Sequence, residues 1–264
     1  EQLGYAWNGI NNTYFWPVMD AAMAIKDTID NVTDMALLDS MMAEMDKAEA
    51  AVLEAYVVGD EYNVIKNLFW NAADNSVAAT DEVRMAMEMA LENSNYAGYN
   101  IATIKALETA VADIKAAYLA YVTNAIANEG YKFDATFMLV NPSFETGDLT
   151  GWEANKANDT GVKPNTDGTY TMAGCDGDYL FNTWYGTGIY VQQTVKELPA
   201  GTYALSVVVA SDDILLNITA GNKTIEHLCQ GGKGTGSVVV VDSVAHEGGD
   251  FLVKVATVNN DWFK

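Results

Sequence analysis

The hydrophobic pattern of this chain changes its period once, near residue 137. Before that point apolar residues recur every three or four positions, the spacing that places them on one face of a helix. After it, apolar and polar residues alternate between Gly-containing turns, which is typical of antiparallel strands. We therefore predict an α+β multidomain chain. An N-terminal antiparallel helical bundle at residues 1–133 is followed by an antiparallel β-sandwich (jelly roll) at residues 134–264.

Caps and breakers divide the helical half into four or five predicted helices. Pro17 suits the first turn of the first helix. The second helix is predicted to begin near Asp34 and to end at Gly59, where a third begins. Thr80 is a predicted N-cap, and Gly130 ends the last helix. Short polar connections between such apolar stripes predict antiparallel neighbours in an up-and-down bundle.

Two sets of apolar side chains in this half have more than one interpretation. Nine of the 11 methionines lie here, and a Met-rich stripe is either an adaptable core or a groove for a partner. The heptad placement of Met41 and Met45 favours a core. An aromatic cluster at residues 1–16 either packs inside the protein or offers a platform to sugars, and packing is favoured because exposed aromatic clusters are uncommon.

The charge of the chain excludes two classes of partner. With 14 Lys and Arg against 36 Asp and Glu the net charge is −22, which disfavours nucleic acids and anionic membranes. No apolar run reaches the length of a membrane span. The sequence begins with Glu1, a start expected of a mature chain whose signal peptide has been removed. We therefore predict a secreted or cell-surface protein.

One stretch marks the entry to the strand-rich half. Residues 138–152 combine a short apolar run, Asn141-Pro142 and a Gly-rich turn, which predicts a strand that meets the first corner of a sandwich. This stretch resembles the opening strand of the galactose-binding-like jelly rolls of bacterial surface proteins and carbohydrate-binding modules. Residues 190–195 followed by 198–205 resemble the central hairpin of the same family. The resemblance covers about residues 137–264 and implies a bacterial, non-catalytic module that binds carbohydrate.

A glycan site needs flat aromatic faces for the sugar ring and amide or carboxylate groups for its hydroxyls. Because side chains alternate along a strand, Tyr190 and Gln192 lie on one face of the segment 188–195. A Gly-flanked turn before it carries two more aromatic residues. The predicted ligand-binding residues are therefore Trp184, Tyr185, Tyr190 and Gln192. The alternative, that Tyr190 and Trp184 are core or loop anchors, stays open.

From the cysteines, the histidines and the Gly-rich segment we predict no catalytic residue, no metal site and no cofactor. Cys175 and Cys229 either form one disulfide or remain thiols, and with two distant histidines they do not form a zinc site. Residues 231–236 lack the order of a phosphate loop. The family resemblance does imply a structural calcium ion at Glu145, whose usual Asp partner lies in a closing strand after the position of Trp262.

Two further functions stay open. The first is a structural spacer or protein-adhesion module, since the helical half loosely resembles helical spacer modules of bacterial surface proteins. A large exposed apolar patch on the helices would favour it. The second is an accessory domain of a larger glycan-degrading protein. Fold does not fix function, so the site has to decide among these hypotheses.

Overall fold

The protein folds as two compact units, Glu1–Asp134 and Ala135–Lys264. A computed structural model describes residues 12–29, 32–74, 79–100, 104–129, 132–155, 159–166, 168, 170–186, 188–232, 234–259 and 262–264. The predicted N-terminal aromatic cluster lies outside the described residues, except that residues 12–16 have a described helical backbone. Nothing is therefore said of the sugar platform or the packing predicted for that cluster.

The first unit is α-helical in its described part. The helices are α1 Asn12–Ile29, α2 Met35–Asp74, α3 Asp81–Asn100 and α4 Ile104–Glu129. The Asp34 carboxylate accepts hydrogen bonds from the N–H groups of Ala36 and Leu37 at 2.9 and 3.2 Å, so it caps α2 as predicted. Among the described helices, none is long and apolar enough to cross a membrane.

Two predicted helix boundaries are wrong. The break predicted at Gly59 is absent, because α2 continues through it for 40 residues. A helical Gly costs only about 1 kcal/mol relative to Ala, and beyond it Tyr62, Ile65 and Phe69 are buried. The packing of this second half outweighs the cost at Gly59. At the N-terminus α1 already begins at Asn12, so Pro17 lies inside the helix and not in its first turn.

Helix α4 supplies much of the described core of this unit. Its Tyr118 and Tyr121 are fully buried, and the Tyr121 ring meets Phe69 of α2 edge-on with centroids 5.3 Å apart. The Asn124 side chain accepts a hydrogen bond from the N–H of Thr80, just before α3, at 3.0 Å. Helices α2, α3 and α4 therefore pack through contacts that centre on α4.

The methionines divide between core and surface. Met87 is fully buried, whereas Met41 and Met45, predicted as core, are only half-buried. Five methionines have more than half of their side-chain surface exposed: Met23, Met35, Met42, Met85 and Met89. The core interpretation of the Met-rich stripe therefore holds for only a minority of these residues.

The second unit consists of antiparallel strands. They are β1 Glu153–Ala154, β2 Gly161–Pro164, β3 Tyr179–Asn182, β4 Tyr190–Leu198, β5 Gly201–Val209, β6 Ile214–Ala220, β7 Lys223–Cys229, β8 Ser237–His246 and β9 Gly249–Thr257. A five-stranded sheet has the order β1-β4-β9-β6-β7, and β2-β3 and β5-β8 form two pairs. Apolar side chains from the sheet and from both pairs share one core, so the unit is a β-sandwich.

The segment 262–264 joins the two strand pairs of the second layer. The carbonyl of Phe263 accepts a hydrogen bond from Thr183 at 3.1 Å, next to β3. Lys264 and Ala210, next to β5, exchange two backbone hydrogen bonds of 3.0 Å each, as in an antiparallel pair. The segment therefore lies between the ends of β3 and β5.

The strand predicted within residues 138–152 is wrong. A short 3-10 helix at Thr136–Met138 is followed by turns as far as β1. Asn141 and Phe144 adopt φ values of 51° and 63°, left-handed conformations that interrupt an extended strand. Trp152 packs beside Phe144, with centroids 5.1 Å apart, and against the core.

Candidate functional site

Two of the predicted site residues form an exposed aromatic pair directly after β3. The rings of Trp184 and Tyr185 meet at 90° with centroids 4.8 Å apart, and their exposed fractions are 38% and 48%. Tyr185 has a φ of 37°, a left-handed conformation that is uncommon for an aromatic residue and is found where structure holds a side chain in a set place. The turn therefore presents two large rings to solvent.

A buried tryptophan supports this pair from below. Trp262 is 3% exposed and stacks on Trp184 with centroids 6.4 Å apart and an angle of 27° between the rings. The Trp262 carbonyl accepts a hydrogen bond from the buried Ser211 hydroxyl. Because Trp262 is fixed in this way, Trp184 rests on a rigid base, and little conformational entropy is lost when a ligand stacks on it.

Polar residues lie beside the aromatic pair. The pairing of β2 with β3 places Gly161 opposite Asn182, and the hydroxyls of Thr160 and Thr183 approach to 3.0 Å one step further along. Asp159 precedes Thr160, and Trp184 follows Thr183. Asp159 and Trp184 are therefore the next residues along these two neighbouring segments.

The carboxylate of Asp159 is held by two donors. Lys163 makes an ion pair with Oδ1 at 2.7 Å, and the Tyr170 hydroxyl donates to Oδ2 at 2.9 Å. The Lys163 hydrogen bond, followed by that of Tyr170, lowers the pKa of Asp159 although partial burial opposes this. Asn182 donates to the Asp159 main-chain carbonyl at 2.9 Å. We call Asp159, Lys163, Tyr170 and Asn182 the Asp159 cluster.

The other two predicted site residues lie on the outer face of the five-stranded sheet. The Tyr190 ring is half-buried and lies under the Lys254 ammonium, 4.4 Å from the ring centroid. The Gln192 amide donates to Glu153 at 3.0 Å. One face of Tyr190 is therefore occupied by a cation. Trp184 and Tyr185 share one loop, Tyr190 and Gln192 share one sheet face, and the two pairs have different neighbours.

The structure places the carboxylate of Glu145, where the resemblance implies a calcium ion, against the turn before β3. Its carboxylate accepts hydrogen bonds from the N–H groups of Asp178 and Tyr179 at 3.0 to 3.1 Å. No group of three His, Cys, Asp or Glu side chains that could hold a metal occurs among the described residues. Glu145 thus anchors the turn before β3.

Both cysteines are free thiols. Cys175 donates to the carbonyl of Tyr179 at 3.2 Å, and Cys229 is buried in the sandwich core. Burial raises the pKa of both thiols, which keeps them protonated and weakly nucleophilic at neutral pH. Of the two states that the sequence left open, the structure has the thiols.

The sequence reasoning missed the Asp159 cluster and the support from Trp262. Asp159 and Tyr170 are eleven positions apart, and their contact depends on how the loop after β2 returns, which no local pattern shows. One signal was present, because Trp184 lies two residues after Asn182, which ends β3, and side chains two apart on an extended segment share a face. That spacing would have identified Asn182 as a neighbour of the aromatic pair.

Comparison with known proteins finds no matching family model and no matching curated protein. Among solved structures, TmCBM61 in complex with β-1,4-galactotriose is 21% identical, covers 48% of this chain and 91% of its own, and has a TM-score of 0.38. A family 35 carbohydrate binding module from Clostridium thermocellum is 15% identical, covers 44% and 86%, and has a TM-score of 0.31. The GH26-CBM35 β-(1,4)-mannanase of Podospora anserina is 16% identical, covers 43% and 27%, and has a TM-score of 0.30. Each of these three likenesses covers less than half of this chain.

Proposed function

We propose that this protein binds carbohydrate, without catalysis, through the exposed pair Trp184 and Tyr185 at the end of β3. The observation that carries the proposal is the exposure of two perpendicular rings on a buried tryptophan. Contiguous exposed apolar surface rimmed by polar residues marks interaction sites, and the two adjoining rings form such a surface. The proposed setting is a secreted or cell-surface bacterial protein, in which the helical unit is a bundle that acts as a spacer.

The geometry suits a sugar ring. The face of an indole matches the apolar C–H face of a pyranose, and a second ring at right angles contacts the edge of the same sugar. Hydroxyl groups around the sugar need donors and acceptors nearby, which the Asp159 cluster supplies. An open turn covers only part of a sugar, so we expect an affinity well below that of an enclosed pocket.

The test is a glycan array followed by isothermal titration of the full chain with the glycans that bind. Trp184→Ala is expected to weaken binding at least about tenfold, which is about 1.4 kcal/mol. Trp70→Ala is the matched control, because Trp70 lies in the helical unit and is 44% exposed. Circular dichroism of each variant confirms that the fold persists.

The proposal fails if no glycan in a broad panel of plant, mucin and microbial polysaccharides binds the wild-type protein. It also fails if Trp184→Ala and Trp70→Ala weaken binding equally. The same titration of Tyr190→Ala and Gln192→Ala tests whether the sheet face takes part, since these two residues belong to β4 of the five-stranded sheet whereas Trp184 follows β3 of the β2-β3 pair.

A second candidate function rests on the surface of the helical unit. Five methionines and Trp70 are exposed there, and flexible Met side chains suit a surface that adapts to protein partners. This observation favours a spacer or protein-adhesion role. Labelling by a methionine oxidant with and without a partner protein would test it, because Met23, Met42 and Met85 should be protected on binding while the buried Met87 stays unchanged. An accessory role in a larger glycan-degrading protein is compatible with either function.

A further inference from the structure

The Asp159 carboxylate is an ordered acceptor, and the register of β2 and β3, continued two residues beyond Gly161 and Asn182, sets Asp159 opposite Trp184. Its side chain is 41% exposed, so water or a ligand can reach it. Lys163 and Tyr170 fix one oxygen each, and Asp159 itself holds a φ of 48°. A non-Gly residue in this left-handed conformation is uncommon, and here it lies two residues before β2, whose partner β3 ends two residues before Trp184.

A count of lone pairs shows what remains available. An ionised carboxylate has about four acceptor positions, two on each oxygen. Oδ1 uses one for Lys163 at 2.7 Å, and Oδ2 uses one for Tyr170 at 2.9 Å, with a long contact of 3.4 Å to Asn182. Each oxygen therefore keeps capacity for another donor. Two acceptors at the fixed separation of one carboxylate match two neighbouring hydroxyl groups.

We propose that Asp159 accepts hydrogen bonds from a vicinal diol of a neutral sugar whose ring stacks on Trp184, and that it makes the site reject acidic sugars. This inference rests on the proposed carbohydrate-binding function and names its ligand class. Hydrogen bonds to a charged acceptor are stronger than those between neutral groups. Because Lys163 and Tyr170 already orient the carboxylate, a sugar gains these bonds without ordering a free side chain.

Rejection of acidic sugars follows from the charges. A uronic or sialic acid keeps hydroxyl groups that can donate to Asp159, but its carboxylate accepts hydrogen bonds and donates none, so this group cannot bond to Asp159 and is repelled by it. The net negative charge of the β-sandwich unit also repels an acidic sugar. Residues 135–264 hold 7 basic and 15 acidic side chains, or −8 by subtraction. Lys163 offsets the charge of Asp159 locally, but its ammonium is already bonded to Oδ1.

The experiment compares matched neutral and acidic ligands by titration of the full chain. The probes are β-1,4-galactan against polygalacturonate, xylan against glucuronoxylan, and lactose against 3′-sialyllactose. We expect the neutral member of any pair that binds to bind at least about fivefold more tightly. Asp159→Asn should weaken binding of the neutral member about tenfold, in line with the loss of charged hydrogen bonds, and should narrow the difference within the pair.

Two further variants separate recognition from folding. Asp213→Asn is the matched control, because Asp213 is exposed and has the same φ of 48°; it should leave binding unchanged. Lys163→Gln removes the cation but keeps the carboxylate, so it should widen the preference for neutral ligands, whereas Asp159→Asn narrows it. If the Asp159 and Lys163 pair had a purely structural role, the preference for neutral ligands would change in the same direction in both variants.

Each outcome decides between hypotheses. Equal or tighter binding of the acidic members, or an unchanged affinity of Asp159→Asn for the neutral ligand, overturns the inference and leaves carbohydrate binding intact. Absence of binding to any probe and to the wider panel removes the proposed function itself. If Asp159→Asn and Lys163→Gln change the preference for neutral over acidic ligands in the same direction, the Asp159 and Lys163 pair has a structural role alone.

Discussion

The side-chain amide of Gln193 binds both backbone polar groups of Val140. The Val140 N–H donates to Oε1 at 2.7 Å, and Nε2 donates to the Val140 carbonyl at 2.9 Å. Gln193 is 6% exposed and lies on β4 among core side chains. The segment before β1 is thus attached to the sheet by a side chain that pairs as a neighbouring strand would.

Gln193→Met should destabilise the β-sandwich unit. The change keeps the volume but removes two part-buried hydrogen bonds to the backbone of Val140, each of which contributes about 0.5 to 1.5 kcal/mol. We expect a loss of about 1 to 3 kcal/mol in the free energy of unfolding, measured with urea. Gln192→Met on the outer face is the control and should change stability by less than about 0.5 kcal/mol. Equal losses in both would contradict the role assigned to Gln193.

Gly177→Ala should also destabilise this unit. Gly177 has a φ of +91°, and a Cβ atom there would overlap the Glu145 carboxylate that binds the following turn. Gly188 also has a positive φ, +63°, but nothing lies within 4 Å of its Cβ position. We expect Gly188→Ala to cost about 1 kcal/mol for the backbone alone and Gly177→Ala to cost about 2 kcal/mol more because of the overlap. Thermal unfolding of both variants measures the difference.

Much of the strand pattern was predictable from sequence, because alternation and Gly turns are local. Strands β4 and β5 lie at the residues where the sequence predicts two strands. The hairpin predicted from them is wrong, because β4 pairs with β1 and β9 whereas β5 pairs with β8. The pattern missed β7, Lys223–Cys229, which is an edge strand of the five-stranded sheet. Its exposed face carries Glu226 and Thr224 and only its other face is packed, so its period is weak and its pairing with β6 defines it.

The site was predictable only in its aromatic part. Trp184 and Tyr185 were recognisable as large rings in a Gly-flanked turn. Their support by Trp262, 78 residues after Trp184, depends on the packing of the segment 262–264 beside β3. The contact between Asp159 and Tyr170 depends likewise on the course of a loop. Long-range contacts of this kind depend on tertiary structure, so no regular spacing of residues in the sequence indicates them.

Tyr203 makes the stability of the β-sandwich unit depend on pH in the alkaline range. Its hydroxyl donates to the Pro199 carbonyl at 2.6 Å, and burial raises the pKa of Tyr203 from 10.0 to about 12. The folded state therefore keeps a proton that the unfolded chain releases above pH 10. The stabilisation is complete below pH 10 and is lost as the pH rises through 12; it corresponds to roughly 2 to 3 kcal/mol.

Urea unfolding of the wild type and Tyr203→Phe between pH 8 and about 11.5 tests this linkage. Tyr203→Phe lacks the ionisable hydroxyl at this position. Its free energy of unfolding should therefore fall less steeply with rising pH than that of the wild type. Tyr190→Phe, on the outer sheet face, is the control for tyrosine ionisation in general. Parallel curves for the wild type and Tyr203→Phe would show that Tyr203 does not contribute to the alkaline loss.

Trp262 should link stability to ligand binding. It is 3% exposed and stacks under Trp184, so Trp262→Ala leaves a cavity in the core and removes the base of the binding ring. Truncation of a buried Trp costs about 3 to 5 kcal/mol, and binding should weaken even at temperatures where the fold is intact. Trp262→Phe keeps a flat ring, so it should recover most of the affinity with a smaller loss of stability. Calorimetric titration and thermal unfolding of both variants separate the two effects. If Trp262→Phe bound as weakly as Trp184→Ala while remaining folded, stacking on Trp262 would not be what positions Trp184.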